Sequence, residues 1–456
     1  MNHYWLKNVF PIAVIFSFRM LGLFMLIPVF TLFATDLKGA TPALIGLALG
    51  SYGLSQGILQ MPFGMLSDRF GRKPIIRLGL LLFVCGSLMG ALSDSIYTMI
   101  FARILQGMGA IGSVLIALLA DLTPDEQRTK AMAVIGMTIG LSFGLAMVIS
   151  PVLTHYYGLS GIFYLTTLLA LLGLILLETT IPNPKKERFH SDSEARPSLF
   201  KSVLSNKHLL RLNAGIFFQH FILTATFFVI PMLLSKQGQE EHLAHQWYFY
   251  LPLMLFSFVL MIPFILLAEK KGQMKLIFCS AVLITCFSQC ALIFSSQNWL
   301  ALFIVMFFYF VAFNILEATL PSLVSKQAQL TSKGTAMGVY SSCQFLGIFA
   351  GGVSSGLIFQ FAGSLGIFIV NGLVSLFWLL VAFSMKPDEY LSTLIISCPK
   401  SLQDDKALIA EFKKLKGVDD AVIDKEEGVI YLRINRAIYK SGSSEIVLNE
   451  HYLDLS

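Results

Sequence analysis

The chain has 456 residues, of which 55% are hydrophobic and only 13% charged, with a mean hydropathy of +0.73 and a formal net charge of +6. Soluble domains carry about 25% charged residues, so a water-soluble globular protein is excluded and a chain solvated by lipid is indicated. The modest positive balance serves membrane topology and lipid headgroups; it gives no reason to expect nucleic acid as a partner.

A helix needs about 20 mostly apolar residues to cross a hydrocarbon core roughly 30 Å thick. Such runs lie at 9–34, 43–66, 74–93, 97–120, 130–153, 160–179, 210–234, 247–268, 275–295, 299–324, 336–361 and 366–385, which predicts twelve membrane-crossing helices. Only Lys7 among the basic residues precedes the first run. That run is too long for a signal-peptide core and is followed by further spans, so it reads as an uncleaved first helix. Lys and Arg between the runs set the orientation. Eighteen lie in the even-numbered connections and two, Lys38 and Lys236, in the odd ones, which places both termini in the cytoplasm. The six cysteines lie mostly inside apolar runs and read as small buried hydrophobes, not as disulfides or metal ligands.

The apolar body is doubled. Gln60-Met-Pro-Phe-Gly-Met-Leu-Ser-Asp-Arg-Phe-Gly71 matches Met261-Ile-Pro-Phe-Ile-Leu-Leu-Ala-Glu-Lys-Lys-Gly272 at an offset of 201 residues. Phe24-Met-Leu-Ile-Pro28 matches Phe227-Phe-Val-Ile-Pro231 at 203, and Ala131-Met-Ala-Val134 matches Ala336-Met-Gly-Val339 at 205. Three matches in order argue for two six-helix bundles, residues 1–182 and 210–386, repeated in parallel about the membrane normal. Such repeats place a binding site near the midplane, between the halves. The charged segment 183–209 reads as a solvated cytoplasmic linker with a short surface helix, and 387–456 as a small soluble domain.

One short stretch is out of keeping with its apolar neighbours: Gly64-Met-Leu-Ser-Asp68-Arg69-Phe-Gly71-Arg72-Lys73. Gly64 and Gly71 allow close backbone approach and a tight turn. Asp68 falls at a helix end, where a cation or a neighbouring helix N-terminus stabilises a carboxylate. Asp121, Arg128 and Lys130, from the next even connection, can complete a charge network with Asp68. Arg69, Arg72 and Lys73 also fix topology.

This stretch resembles the signature loop between helices 2 and 3 of the major facilitator superfamily, and Arg103-Ile-Leu-Gln106-Gly107-Met-Gly109 resembles that superfamily's helix-4 motif. Further stretches resemble a bacterial branch of it that carries a small cytoplasmic tail domain: Ser17-Phe-Arg19-Met-Leu-Gly22, Phe313-Asn314-x-x-Glu317-Ala, and Gly334-Thr-Ala-Met-Gly-Val-Tyr340. The resemblance covers residues 1–386. It implies that the charge network latches the cytoplasmic side shut while the outside is open, and that Arg103 assists proton handling.

Ionisable residues at mid-membrane cost several kcal/mol unless they face a cavity or a partner, so function is their default reading. Arg19 lies about ten residues into the first run, roughly 15 Å deep at 1.5 Å per residue. Arg103 lies about a third of the way in from the outer face, Glu317 roughly 10 Å from the inner end of the tenth run, and His220 near the middle of the seventh. Gln56, Gln60, Asn213, Gln219, Asn314 and Gln344 supply neutral polar groups. If these line one cavity, protonation of Glu317 or His220 couples to movement between the halves. For Glu317 and His220 a purely structural pairing stays open.

Two features depart from the superfamily's proton-driven multidrug exporters. The first run carries Arg19 where many of them hold an acid, and the helix-5 signature is reduced to Gly136, Gly140 and Gly144, a spacing that would form a smooth packing ridge. A cationic cavity favours an anionic or zwitterionic substrate.

In the tail, Tyr390–Ser397 reads as a strand, Asp404–Lys416 as a helix, and Asp420–Lys425 and Val429–Asn435 as strands, an order that suggests a ferredoxin-like module. Residues 437–456 read poorly as a helix, so the module is expected to be incomplete. A lone Cys398 in place of a C-x-x-C argues against metal transfer. Self-association, a cytoplasmic partner and a passive appendage stay open for the tail.

The leading expectation is a secondary transporter of the bacterial inner membrane, a proton-coupled efflux antiporter for a small organic substrate working by alternating access. An importer or facilitator for a small anion and a transporter-like membrane sensor stay open. No catalytic triad, H-E-x-x-H or paired intramembrane carboxylates occur, so an enzyme is not expected; no P-loop, metal set or cofactor motif occurs either.

Overall fold

The computed structural model describes residues 5–123, 125–183, 197–237, 246–270, 273–295, 298–329, 332–385, 391–398, 406–424, 428–435, 438–440 and 442–454. Most of the expected linker, 184–196, lies outside the described residues. The chain enters through a π-helical turn, Trp5–Val9, into α1 (Phe10–Phe24), then α2 (Phe30–Phe33), α3 (Pro42–Phe70), α4 (Arg72–Ala91), α5 (Ile96–Met108), α6 (Gly112–Leu122) and α7 (Asp125–Thr179). A short helix α8 (Phe200–Ser205) precedes α9 (Lys207–Gln237), α10 (Trp247–Lys270), α11 (Met274–Ser295), α12 (Trp299–Gln327) and α13 (Lys333–Phe383). Nine helices among the described residues are long and apolar enough to cross a membrane.

The two longest helices are each two rods joined at a corner. Gly158 (φ 63°, ψ −167°) bends α7 and Gly363 (φ 60°, ψ −157°) bends α13. That backbone region is open essentially to glycine alone. The apolar run 9–34 is not one helix, as expected, but is interrupted at residues 25–29, where Ile27 and Val29 bond three residues back to Phe24 and Leu26. Pro28 has no N–H to donate and its ring clashes with the preceding turn. Its counterpart Pro231 is accommodated inside α9. The run 97–120 also breaks, at Gly109–Ile111, where Gly109 sits against the carbonyl of Gly79.

The loops with Arg72, Lys73, Lys207 and Lys333 gather at one end of the bundle, called here the basic end. At the opposite end α3 and α13 touch main chain to main chain. A Cβ on Gly46 would lie 2.3 Å from the Gly352 carbonyl oxygen, one on Gly53 2.5 Å from that of Phe345, and one on Gly57 3.2 Å from that of Ser342. Further toward the basic end, a Cβ on Gly64 would meet only Ser113 of its own half, at 3.5 Å. The two helices therefore splay apart toward the basic end. Elsewhere between the halves, Phe143 of the N-terminal half stacks on Phe313 at 5.8 Å and tilts against Phe310 at 6.1 Å, bridging the halves with aromatic rings. The ridge expected from Gly136, Gly140 and Gly144 does not form a tight seam. A Cβ on Gly136 would meet nothing within 4 Å, and Gly140 and Gly144 face only Phe258 at ordinary contact distance.

In the tail, β1 (Leu391–Ser397), α14 (Lys406–Lys414), β2 (Val418–Asp424), β3 (Val429–Asn435) and α15 (Ser443–Asp454) form a three-stranded sheet of order β1-β3-β2, antiparallel throughout. Leu408, Phe412, Ala421, Ile430, Leu432 and Val447 make its core. Helix α15 overturns the expectation that 437–456 is not helical. Its polar sequence is held by tertiary contacts: Val447 is buried in the core, and the Ser444 N–H donates to the Tyr439 hydroxyl at 3.2 Å. On the other face of the sheet Arg433 donates to the carbonyl of Lys326, near the end of α12, at 2.8 Å.

Gly46→Ala forces a methyl into main chain and is expected to lower stability by about 1–3 kcal/mol. It should also loosen the seam, read as faster alkylation of a cysteine placed at Leu49. Gly136→Ala has open space and is expected to be neutral or stabilising, by up to about 1 kcal/mol. Equal thermal shifts for the two variants would refute the seam.

Candidate functional site

Two polar poles face each other across the interface between the halves. In the N-terminal half, α1 places Arg19, α3 places Tyr52, and α5 places Arg103 and Gln106. Arg19 and Arg103 are each only 2% exposed. The Arg103 guanidinium lies over the Tyr52 ring, 4.8 Å from its centroid, and its Nη1 donates to Gln106 Oε1 at 2.8 Å. Gln106 Nε2 in turn donates to Ser87 Oγ on α4 at 2.8 Å. Arg19 Nη2 donates to the Tyr52 hydroxyl at 3.3 Å. Gly112 leaves room for this guanidinium: a Cβ there would sit 3.2 Å from Arg19 Nη1. Arg19 Nε and Nη1 and Arg103 Nε are buried without a hydrogen-bond partner.

In the C-terminal half, α9 places Gln219 and His220, α12 places Glu317, and α13 places Gln344. Gln219 Nε2 donates to Glu317 Oε2 at 2.9 Å, and Gln344 Nε2 donates to Glu317 Oε1 at 3.4 Å. The same Gln344 nitrogen lies 2.9 Å from His220 Nε2, while His220 Nδ1 lies 3.3 Å from the Ile216 carbonyl. An amide nitrogen can only donate and a carbonyl can only accept, so the network assigns the proton to Nδ1 and leaves Nε2 as acceptor, a neutral imidazole. Glu317 Oε2 is 3.9 Å from that same Nε2. Glu317 keeps 32% of its side chain exposed, whereas His220 is buried.

Between the poles lies a cavity of about 20 Å³ whose walls include Leu23, Leu49 and Arg103 from one half and His220, Phe227 and Ile348 from the other. That is room for about one water molecule. Leu49 and Ile348 flank the glycine seam, so the cavity sits directly against it.

Of the residues read from sequence as lining the centre, Arg19, Arg103, His220, Glu317 and Gln344 are thus drawn into two poles. Asn314 lies apart: its Nδ2 donates to Ser257 Oγ on α10 at 3.0 Å and ties two helices together. Gln56 bonds one turn along α3 to Gln60 Oε1 at 2.7 Å, with its own Oε1 unpartnered. Tyr52, shared by both arginines, escapes the sequence reading. Its one signal is the position a turn before Gln56 on the same helix.

The residues of the expected latch gather at the basic end. Arg72 is its hub. Its Nε donates to Asp121 Oδ2 at 2.9 Å, and its Nη1 donates to Ser67 Oγ at 2.7 Å and to Asp68. The Arg72 and Asp121 side chains are 2% and 0% exposed, and that of Asp68 is 37% exposed. Gly71, at φ 94°, makes the turn that brings Arg72 back under Asp68. Lys73 caps the Ile181 carbonyl at 2.9 Å, and Arg69 lies over Phe70. The side chain of Arg128 lies outside the described residues. The ion pair of Asp68 stays within its own half, with Gly64 facing Ser113 of that half, in keeping with the splay of α3 from α13 at this end.

Comparison with known proteins bears on these observations. The sequence profile of the Major Facilitator Superfamily matches residues 12–352 and 246–397. The inner membrane transport protein YajR of Escherichia coli (strain K12) is 41% identical over 427 residues, 94% of each chain. The quinolone resistance protein NorA of Staphylococcus aureus (strain Mu50) is 28% identical over 221 residues, 48% of this chain and 54% of its own. The crystal structure of a D-xylose-proton symporter superposes with a TM-score of 0.70 at 15% identity, over 84% of this chain and 98% of that one, and so shares the fold. The chain is a transporter of the major facilitator superfamily, not an enzyme.

Proposed function

We propose that the chain is a secondary active transporter of the bacterial inner membrane that exports a small organic substrate in exchange for protons. Twelve spans fit the nine long apolar helices once α7 and α13 are each divided at their glycine corners and the broken α1–α2 segment is added. The basic end then faces the cytoplasm, by the asymmetry of Lys and Arg. The observation that carries the reading is the seam: the halves are in main-chain contact at the outer end and diverge toward the inner end, with ionisable poles between them. This geometry is one end state of a rocking pair. Similarity to a quinolone resistance protein over half the chain supports export, and similarity to an inner membrane transport protein over nearly all of it supports the location.

Glu317 is the proton carrier in this reading. It is partly exposed, held by two neutral amides and within reach of a neutral imidazole, so it can gain or lose a proton without breaking an ion pair. Asp68 acts as the inner latch. In the present state it rests on Arg72; in the opposite state it would meet the N-terminus of α13, where the helix dipole favours an anion. The tail, with sheet order β1-β3-β2 and both helices on one face, fits a ferredoxin-like module without a fourth strand among the described residues.

Everted vesicles with an imposed pH gradient test proton coupling, with uptake read across a radiolabelled panel. Glu317→Gln is expected to reduce gradient-driven uptake at least tenfold, and uptake indifferent to both the gradient and Glu317→Gln removes proton coupling. Asp68→Asn should slow transport several-fold yet change stability by less than about 1 kcal/mol, since the pair is partly solvated. Arg72→Ala removes a guanidinium from the buried Asp121 and is expected to cost about 3–5 kcal/mol. Thermal melts that rank the two variants the other way would contradict this division of roles.

A further inference from the structure

The N-terminal pole is cationic and unneutralised. Arg19 and Arg103 are buried, and neither has an acidic partner among the described residues. Their bonds go to a phenol and an amide, while three guanidinium nitrogens are left without a partner. Taking a charge out of water is costly unless it is paired, and each unfilled N–H adds to that cost. Two such groups around one tyrosine form an arrangement that a bound anion would complete. Glu317 does not fill the role, since its carboxylate oxygens are held by Gln219 and Gln344 of its own half. Arg103 also lines the cavity between the halves, whose other walls are Leu23, Leu49, Leu223, Phe227 and Ile348.

We infer that the substrate is a small organic anion, an acidic head on an apolar body, whose oxygens take the empty N–H groups of Arg19 and Arg103 and whose body fills the leucine- and phenylalanine-lined cavity. The guanidinium fork matches a carboxylate or sulfonate in plane and spacing. The cavity lies against the seam, so parting α3 from α13 widens it and opens it to the outer end. In the closed state described, the cavity holds no more than a water. The inference rests on the transporter reading for its direction of travel but not for binding.

The full-length chain in detergent is tested with four probes of one shape: benzoate, benzenesulfonate, benzylammonium and benzyl alcohol. Benzoate and benzenesulfonate are expected to raise the melting temperature in a saturable way, and the cation and the alcohol are not. Arg103→Gln and Arg19→Gln are each expected to weaken benzenesulfonate binding at least tenfold, with Arg103→Lys less affected. If an arginine variant does not fold, Tyr52→Phe serves: it frees the Arg19 fork without removing charge and should keep or tighten anion binding. Stabilisation by benzylammonium equal to that by benzoate, anion binding indifferent to both arginines, binding lost in Tyr52→Phe, or no response to either anion overturns the proposal. Flux of benzenesulfonate in proteoliposomes separates the two readings. Saturable binding without flux removes transport and leaves the anion site, whereas proton-driven cation flux without anion binding removes the site and leaves transport.

Discussion

The main-chain contact between α3 and α13 is the constraint on which the rest of the structure depends. Inside lipid there is no hydrophobic drive to bring two helices together, so what holds them is close packing and the loss of lipid contacts. Glycine allows the closest approach, and Gly46 and Gly352 use it fully. The contact is also a weak point. Few side chains interlock across it, Tyr52 against Phe345 among them, and no ion pair crosses it among the described residues, so the halves can part there at modest cost. A bundle closed by interdigitated leucines would be harder to open.

The polar groups follow a related economy. Each half satisfies its own charges as far as it can with neutral partners: amides for Glu317, a phenol and an amide for the arginines. Had the arginines paired directly with Glu317 across the interface, a desolvated ion pair would lock the halves, and separating it would cost about 3–5 kcal/mol. Keeping each pole's bonds within its half leaves the interface free of such a lock. At the basic end the same rule holds, since Arg72 draws Asp68 and Asp121 together inside the N-terminal half.

Much of this was legible in the residues. Composition and run length were enough for a membrane protein with many helices, and three matched stretches suggested a duplication. A fourth match, Gly158-Leu-Ser-Gly161 with Gly363-Ser-Leu-Gly366 at an offset of 205, stood in the sequence too, yet only the positive φ at its first glycine gives it meaning. The titratable members of the site stood out because charge is rare in lipid; Tyr52 did not, because tyrosine is common there. Helix breaks were hard to read. Pro28 and Pro231 are matched in sequence, but one interrupts its helix and the other does not, so tertiary surroundings override the local cost. The glycines of α3 were equally visible to those of α7, and nothing in one chain says which row finds a partner. Residues 443–454 are a helix because the tail core receives Val447, a long-range contact that local pattern cannot supply.

The joint between tail and membrane body carries a consequence of its own. Arg433 grips the main-chain carbonyl of Lys326, one of the last four in α12, which the helix itself cannot satisfy. The tail therefore recognises a place where a helix stops, whatever side chain happens to stand there. Drift in the body's side chains at this rim would leave this bond intact, while lengthening α12 by a single turn would use up the carbonyl and remove it.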